Sequence, residues 1–143
     1  MDEYGKLTEI YIIGFYFNME FTYNSISDFI DDTDFNNSHS SLSLCYFNAR
    51  SLHNKFDDIQ LTIRRLNFPN IIIISENWLW PGEEKFYELT SYQSYHVIRD
   101  FRGGGISIYI SNKYYSELKN VVNDFYSILH IILKGNIVVV DWY

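Results

Sequence analysis

The stretch "NIIIISENWLW" at residues 70–80 decides how this chain folds. Its isoleucines are β-branched and unbroken, and the run 71–75 is short and apolar throughout. That is the pattern of a β-strand covered on both faces. Glu76 follows directly after Ser75, so a carboxylate stands at the mouth of the most apolar stretch in the chain.

Upstream, "HNKFDDIQLTIRRLN" (53–67) places Phe56, Ile59, Ile63 and Leu66 three, four and three residues apart. These positions form one face of an α-helix, with Asp57, Asp58, Arg64 and Arg65 off that face. Pro69 marks its end. Before the helix, "LSLCYFN" (42–48) has the length and content of a strand. Strand, helix and strand in sequence make a βαβ unit, whose crossover renders the two strands parallel. Their carboxyl ends then point the same way, with Asn48 at the end of the first and Glu76 just past the end of the second. Neighbouring strands lie roughly 5 Å apart, and ligands of α/β proteins bind at this edge. A carboxylate beside an amide suits a hard divalent ion such as magnesium, which takes oxygen ligands and keeps several waters. On spacing alone a structural reading is the commoner case. A glutamate after a buried strand also caps turns or pairs with arginine, and asparagine favours turns and helix entries.

Downstream the chain reads mostly as strands: 94–100, 106–111 after the turn "FRGGG" (101–105), and a hairpin of 125–133 with 137–143 about "KGN". "PGEEKFYEL" (81–89) is expected to be a short helix opened by Pro81, and 112–120 a loop or helical turn. "IYIIGFYF" (10–17) reads as a strand and is too short to span a bilayer. "DFIDDTDFNNSHSS" (28–41) is polar, acidic and rich in turn formers, as a linker is. The expected organisation is an acidic leader over 1–40 and a folded body over 41–143.

The 143 residues are about one domain's worth. Abundant tyrosine (13) and phenylalanine (11) supply a core, and two prolines and seven glycines argue against disorder. The net charge of −7 sits within residues 1–40, because the remainder carries ten acids and ten bases. The body therefore has no strong electrostatic footprint for nucleic acid. The lone Cys45 excludes an internal disulfide framework and fits a reducing compartment. The start "MDEYGK" is acidic where a secretory signal is basic, so an intracellular location without membrane partners is expected.

Three blocks, "FNARSLHNKFDDIQ" (47–60), "NIIIISENWLW" (70–80) and "RGGGISIYIS" (102–111), stand in an order and spacing that resemble the endonuclease/exonuclease/phosphatase superfamily. The likeness is to the apurinic-type endonuclease domain of non-LTR, LINE-like retrotransposons. It covers 42–112 well, continues loosely to Tyr143, and leaves 1–40 aside. The resemblance implies the N-terminal part of a four-layered α/β sandwich with two packed mixed β-sheets. It implies a hydrolase that cleaves DNA phosphodiesters with Mg2+ (or Mn2+), nicking target DNA beside a reverse transcriptase, in the nucleus if it acts as a retroelement enzyme. Carried over by position, Asn48 matches the active-site asparagine, Glu76 the metal-binding glutamate, and Tyr143 a tyrosine that hydrogen-bonds the scissile phosphate. Arg50 and Arg102 are the candidate DNA contacts; solvated or paired arginine is the commoner case. Asn77 stands where the family usually has threonine, a tolerated change beside the site. Trp78 and Trp80 offer either a stacking platform for bases or core packing. The "RGGG" lacks the Lys-Ser/Thr of a phosphate loop, so its glycines serve a tight turn and close packing.

The family's second half carries an Asp-x-Asn pair, a further Asp and a terminal Ser-Asp-His, none of which occurs here. None of His39, His53, His96 and His130 stands beside an aspartate in that pattern; His96 and His130 fall in expected strands, as packed or solvent-facing histidines do. A metal ligand without a water-activating base is half of the chemistry. The expectation is therefore a truncated, truncation-inactivated endonuclease of marginal stability, completed by a C-terminal segment or another partner. The competing readings are a non-catalytic interaction module that recruits a partner by strand addition, and a phosphatase of the same superfamily, against which the "NARSL" block speaks.

Overall fold

In the computed structural model, residues 10–16, 19–23, 27, 31, 42–99, 103–123, 127–133 and 136–142 are described. The isoleucine run forms β4 (Ile71–Ser75), and all five of its residues are buried. β4 lies between β3 (Leu42–Asn48), parallel to it, and β6 (Ile106–Ser111), antiparallel to it. β1 (Ile10–Tyr16) and β2 (Met19–Tyr23) extend the sheet beyond β3, and β5 (Tyr92–Val97) closes the other edge. The mixed sheet runs β2-β1-β3-β4-β6-β5. A second, antiparallel sheet consists of β7 (Ser116–Asn123), β8 (Ser127–Leu133) and β9 (Asn136–Trp142), in that order. Among the described residues, the mixed sheet with the helix Phe56–Arg65 packed on one of its faces makes an α/β fold.

The two-residue period of a strand divides the isoleucines between two cores. Ile72 and Ile74 join Cys45, Phe47 and Tyr109 under the helix, α1 (Phe56–Arg65), which contributes Ile59 and Ile63, with Leu66 just beyond its end. Ile71 and Ile73 join Tyr95, Val97, Ile106, Ile108 and Ile110 on the opposite face. Burying each such side chain contributes roughly 2 kcal/mol. α1 carries Asp57 and Asp58 in its first turn and Arg64 and Arg65 in its last, both favourable to the helix dipole. It ends through left-handed Asn67 and Phe68, with the Phe68 N–H donating to the Ile63 carbonyl at 2.9 Å. Asn70 then locks the start of β4. Its Oδ1 accepts from the Ser43 N–H (2.8 Å), its N–H donates to Ser43 Oγ (3.0 Å), and its carbonyl accepts from the Ser111 N–H (2.9 Å).

Several expectations change. The stretch 81–89 is not a helix beyond one 3-10 turn at Glu84–Phe86 with no buried residue. Gly82 has φ +93°, and the Glu83 and Glu84 carboxylates accept from the Trp80 and Gly82 N–H groups instead. Residues expected as a loop in 112–120 enter β7, where pairing with β8 overrides a polar local sequence. β2 was not foreseen. β1 and β2, both from the segment 1–40, pair antiparallel with each other, and β1 with β3. The hairpin of β8 and β9 is present as read. The linker reading of 28–41 falls outside the described residues apart from Asp31. Among the described residues no helix is long and apolar enough to cross a membrane.

Cys45 is fully buried in the helix-side core, and burial pushes its thiol far above the ordinary cysteine value. A thiol reagent such as DTNB is expected to leave Cys45 unmodified in the native protein and to react on denaturation. Stoichiometric reaction under native conditions would contradict this core.

Candidate functional site

The ladder between β3 and β4 pairs Leu44 with Ile71 and ends by pairing Asn48 with Ser75. Asn48 and Glu76 therefore emerge at one edge of the sheet from adjacent strands, as the βαβ reading required. Beyond the strands the two segments stay joined. The Ala49, Ser51 and Leu52 N–H groups donate to the carbonyls of Ser75 (3.0 Å), Glu76 (2.8 Å) and Asn77 (3.0 Å). These bonds hold a backbone that sequence alone would not favour: Arg50, Ser51, Glu76 and Trp78 all have positive φ.

Glu76 is half-buried, and two donors converge on its Oε2: the Trp78 indole N–H at 2.6 Å and the Gly104 N–H at 3.1 Å. The carboxylate is thus oriented from its own loop and from the glycine turn that precedes β6. The turn docks further, because the Trp78 and Asn77 N–H groups donate to the carbonyls of Gly104 (3.1 Å) and Gly105 (3.4 Å). At Gly105, φ is +84° and any Cβ would overlap Asn77 Oδ1; at Gly104 it would overlap the Arg99 side chain. The glycines are the condition for seating this turn against the Glu76 loop.

Asn77 is fully buried. Its Nδ2 donates to Ser107 Oγ (3.0 Å) and the Val97 carbonyl (3.3 Å), while its Oδ1 accepts from the Leu79 N–H (3.2 Å). Ser107 Oγ also meets His96 Nδ1 at 2.8 Å, and His96 stands edge-on to Tyr109. Burial pulls the His96 imidazole below its ordinary value, opposed by the more distant Glu84 carboxylate. Tyr46 Oη and Ser75 Oγ, 2.7 Å apart, form a separate polar pair on the opposite face of the sheet.

Lys55, which sequence reading passed over, is a buried lysine whose Nζ donates to the Ala49 carbonyl beside Asn48. Burial, then the nearby Arg50 charge, lowers its ammonium below the usual lysine value. Nothing in its local sequence distinguishes it from a solvated lysine at a helix start. Arg50 is exposed and lines a groove of about 290 Å³ with Ser51, His53, Asn54, Trp78, Leu79 and Trp80. Trp78 thus reaches from the groove wall to Glu76, whereas Trp80 is 52% exposed. Arg102 and Tyr143 lie outside the described residues, as do His39 and the His130 side chain. Among the described residues no three His, Cys, Asp or Glu side chains gather as a metal cluster. No protein-family model matches the chain, and no curated protein matches it.

Two outcomes follow from this geometry. Gly105→Ala is expected to destabilise the protein by about 1–3 kcal/mol, the cost of a strained backbone site, and to perturb Trp78 fluorescence; an unchanged urea midpoint would refute the docking. For His96, the folded value lies below the unfolded one, so its contribution to stability is complete above the unfolded imidazole value of about 6.5. It is lost as pH falls through that value toward the folded one. Urea midpoints should therefore drop between pH 7.5 and 5.5, and His96→Gln should flatten the drop.

Proposed function

We propose that this chain is the metal-holding, N-terminal part of a DNA phosphodiesterase of the endonuclease/exonuclease/phosphatase kind, within a four-layered α/β sandwich. The observation that carries the reading is the Asn48–Ser75 register, which brings Asn48 level with the residue before Glu76 at the carboxyl edge of parallel strands. Glu76 and Asn48 would hold a magnesium or manganese ion, and the donor set suits it: one carboxylate and one amide oxygen leave a hard cation most of its waters. A divalent ion bound there supplies neutralisation of phosphate charge and stabilisation of a leaving oxygen.

The protein's own residues orient and position. Trp78 and Gly104 fix the Glu76 carboxylate, the arrangement by which outer partners hold a metal-binding oxygen in place. Arg50 presents a guanidinium in the adjoining groove, suited to a phosphate of the DNA backbone. Lys55 braces the Ala49 carbonyl and so the backbone that carries Asn48. The water-activating Asp and His of the family would come from a complementing segment, in the nucleus if the protein serves a retroelement beside its reverse transcriptase.

Titration with Mn2+, followed by calorimetry or electron paramagnetic resonance, should show binding weakened about tenfold or more by Glu76→Gln, a loss of about 1.4 kcal/mol. Plasmid nicking should require magnesium and a segment that supplies the missing Asp, Asn and His. Cation binding indifferent to both Glu76→Gln and Asn48→Ala would overturn the reading.

A further inference from the structure

The groove beside the Glu76 loop contains a second constellation that metal binding does not use. His53 Nδ1 lies 3.0 Å from Ser51 Oγ, and His53 Nε2 lies 2.9 Å from Glu83 Oε2. Serine, histidine and glutamate are thus joined in one hydrogen-bonded chain, although Glu83 is thirty residues from His53 in sequence. The carboxylate is fixed independently, since Glu83 Oε2 also accepts the Trp80 N–H at 2.8 Å. That bond, followed by the bond from His53, holds the Glu83 carboxyl below its ordinary value, so it is ionised and can only accept. In the neutral imidazole, Nε2 must then carry the proton and donate to Glu83. Nδ1 is left as an acceptor, and the Ser51 hydroxyl must be the donor. The ring is steadied edge-on by Tyr87, with centroids 5.7 Å apart.

From this geometry we infer that Ser51, His53 and Glu83 form a nucleophile–base–acid relay that acylates Ser51 from small carboxylic esters. The roles are those of a serine-hydrolase triad with the two ring nitrogens exchanged. Ser51 has φ +94° and follows Arg50 at φ +46°. This strained pair is held by the Ser51 and Leu52 N–H bonds to Glu76 and Asn77. The hydroxyl is presented to a groove whose apolar wall, Trp78, Leu79 and Trp80, suits an acyl chain, while Arg50 supplies positive charge for an oxyanion.

In the reaction, Ser51 Oγ bonds to the ester carbonyl carbon as its proton passes to His53 Nδ1, and the carbonyl electron pair moves to oxygen. Collapse breaks the bond to the alkoxy oxygen, which leaves as alcohol with the proton from His53. Water, deprotonated by His53, then attacks the acyl-serine and releases the carboxylic acid. Glu83 stays ionised and stabilises the transient imidazolium.

A fluorophosphonate probe tests the relay in the full chain with EDTA present, so the result does not depend on metal binding at Glu76. Trypsin should release Ser51 in the peptide 51–55, and mass spectrometry should find the label there. His53→Ala and Glu83→Gln should slow labelling, His53→Ala by about 100-fold or more. Circular dichroism and native protection of Cys45 serve as folding controls. Absence of label from folded wild-type protein, label spread over other serines and tyrosines, or labelling of Ser51 that survives His53→Ala at an unchanged rate would each overturn the relay.

Discussion

The parallel ladder between β3 and β4 is the constraint on which the rest of this structure depends. Its register sends Asn48 and Ser75 out of the sheet as partners. The backbone then extends that pairing beyond the strands through bonds from Ala49, Ser51 and Leu52. A slip of one residue would exchange the faces of the isoleucines, moving Ile72 and Ile74 out of the core beneath α1. The hydrophobic period and the site geometry are consequently one constraint. The side chains that bury the sheet also determine which polar groups meet at its edge.

At that edge the structure exchanges apolar packing for hydrogen-bonded polar groups. Asn77, Ser107 and His96 are linked beneath the Glu76 loop, and Tyr46 meets Ser75. Buried polar groups cost several kcal/mol when left unbonded, so these bonds specify one arrangement of loops rather than merely permitting it. The glycine turn is part of the same solution. It approaches Asn77 closely enough that a side chain at Gly105 would collide, and its Gly104 N–H reaches the Glu76 carboxylate. The strain at Glu76, Trp78, Arg50 and Ser51 is concentrated where these loops meet.

Much of this was legible in the chain itself. The period of Phe56, Ile59, Ile63 and Leu66 located α1, the isoleucine run located β4, and together they brought Asn48 and Glu76 to one edge. Regions with weak local signals went astray. Residues 81–89 looked helical from composition, yet their one 3-10 turn, Glu84–Phe86, buries nothing, and Glu83 and Glu84 organise the stretch through their carboxylates. β7 looked like a loop, because its strand character comes from pairing with β8. Lys55 looked like any lysine at a helix start.

What the sequence by itself determined is therefore the alternation of apolar positions, and with it the strands, the helix and the common edge. Hydrophobic burial is periodic and local, so it leaves a readable trace in the order of residues. Only the tertiary structure decided which polar groups meet: Glu76 with Gly104, Asn77 with Ser107, and His53 with Glu83. Such bonds act over about 3 Å between residues far apart in the chain. Their partners are set by how the loops pack, which no local pattern records.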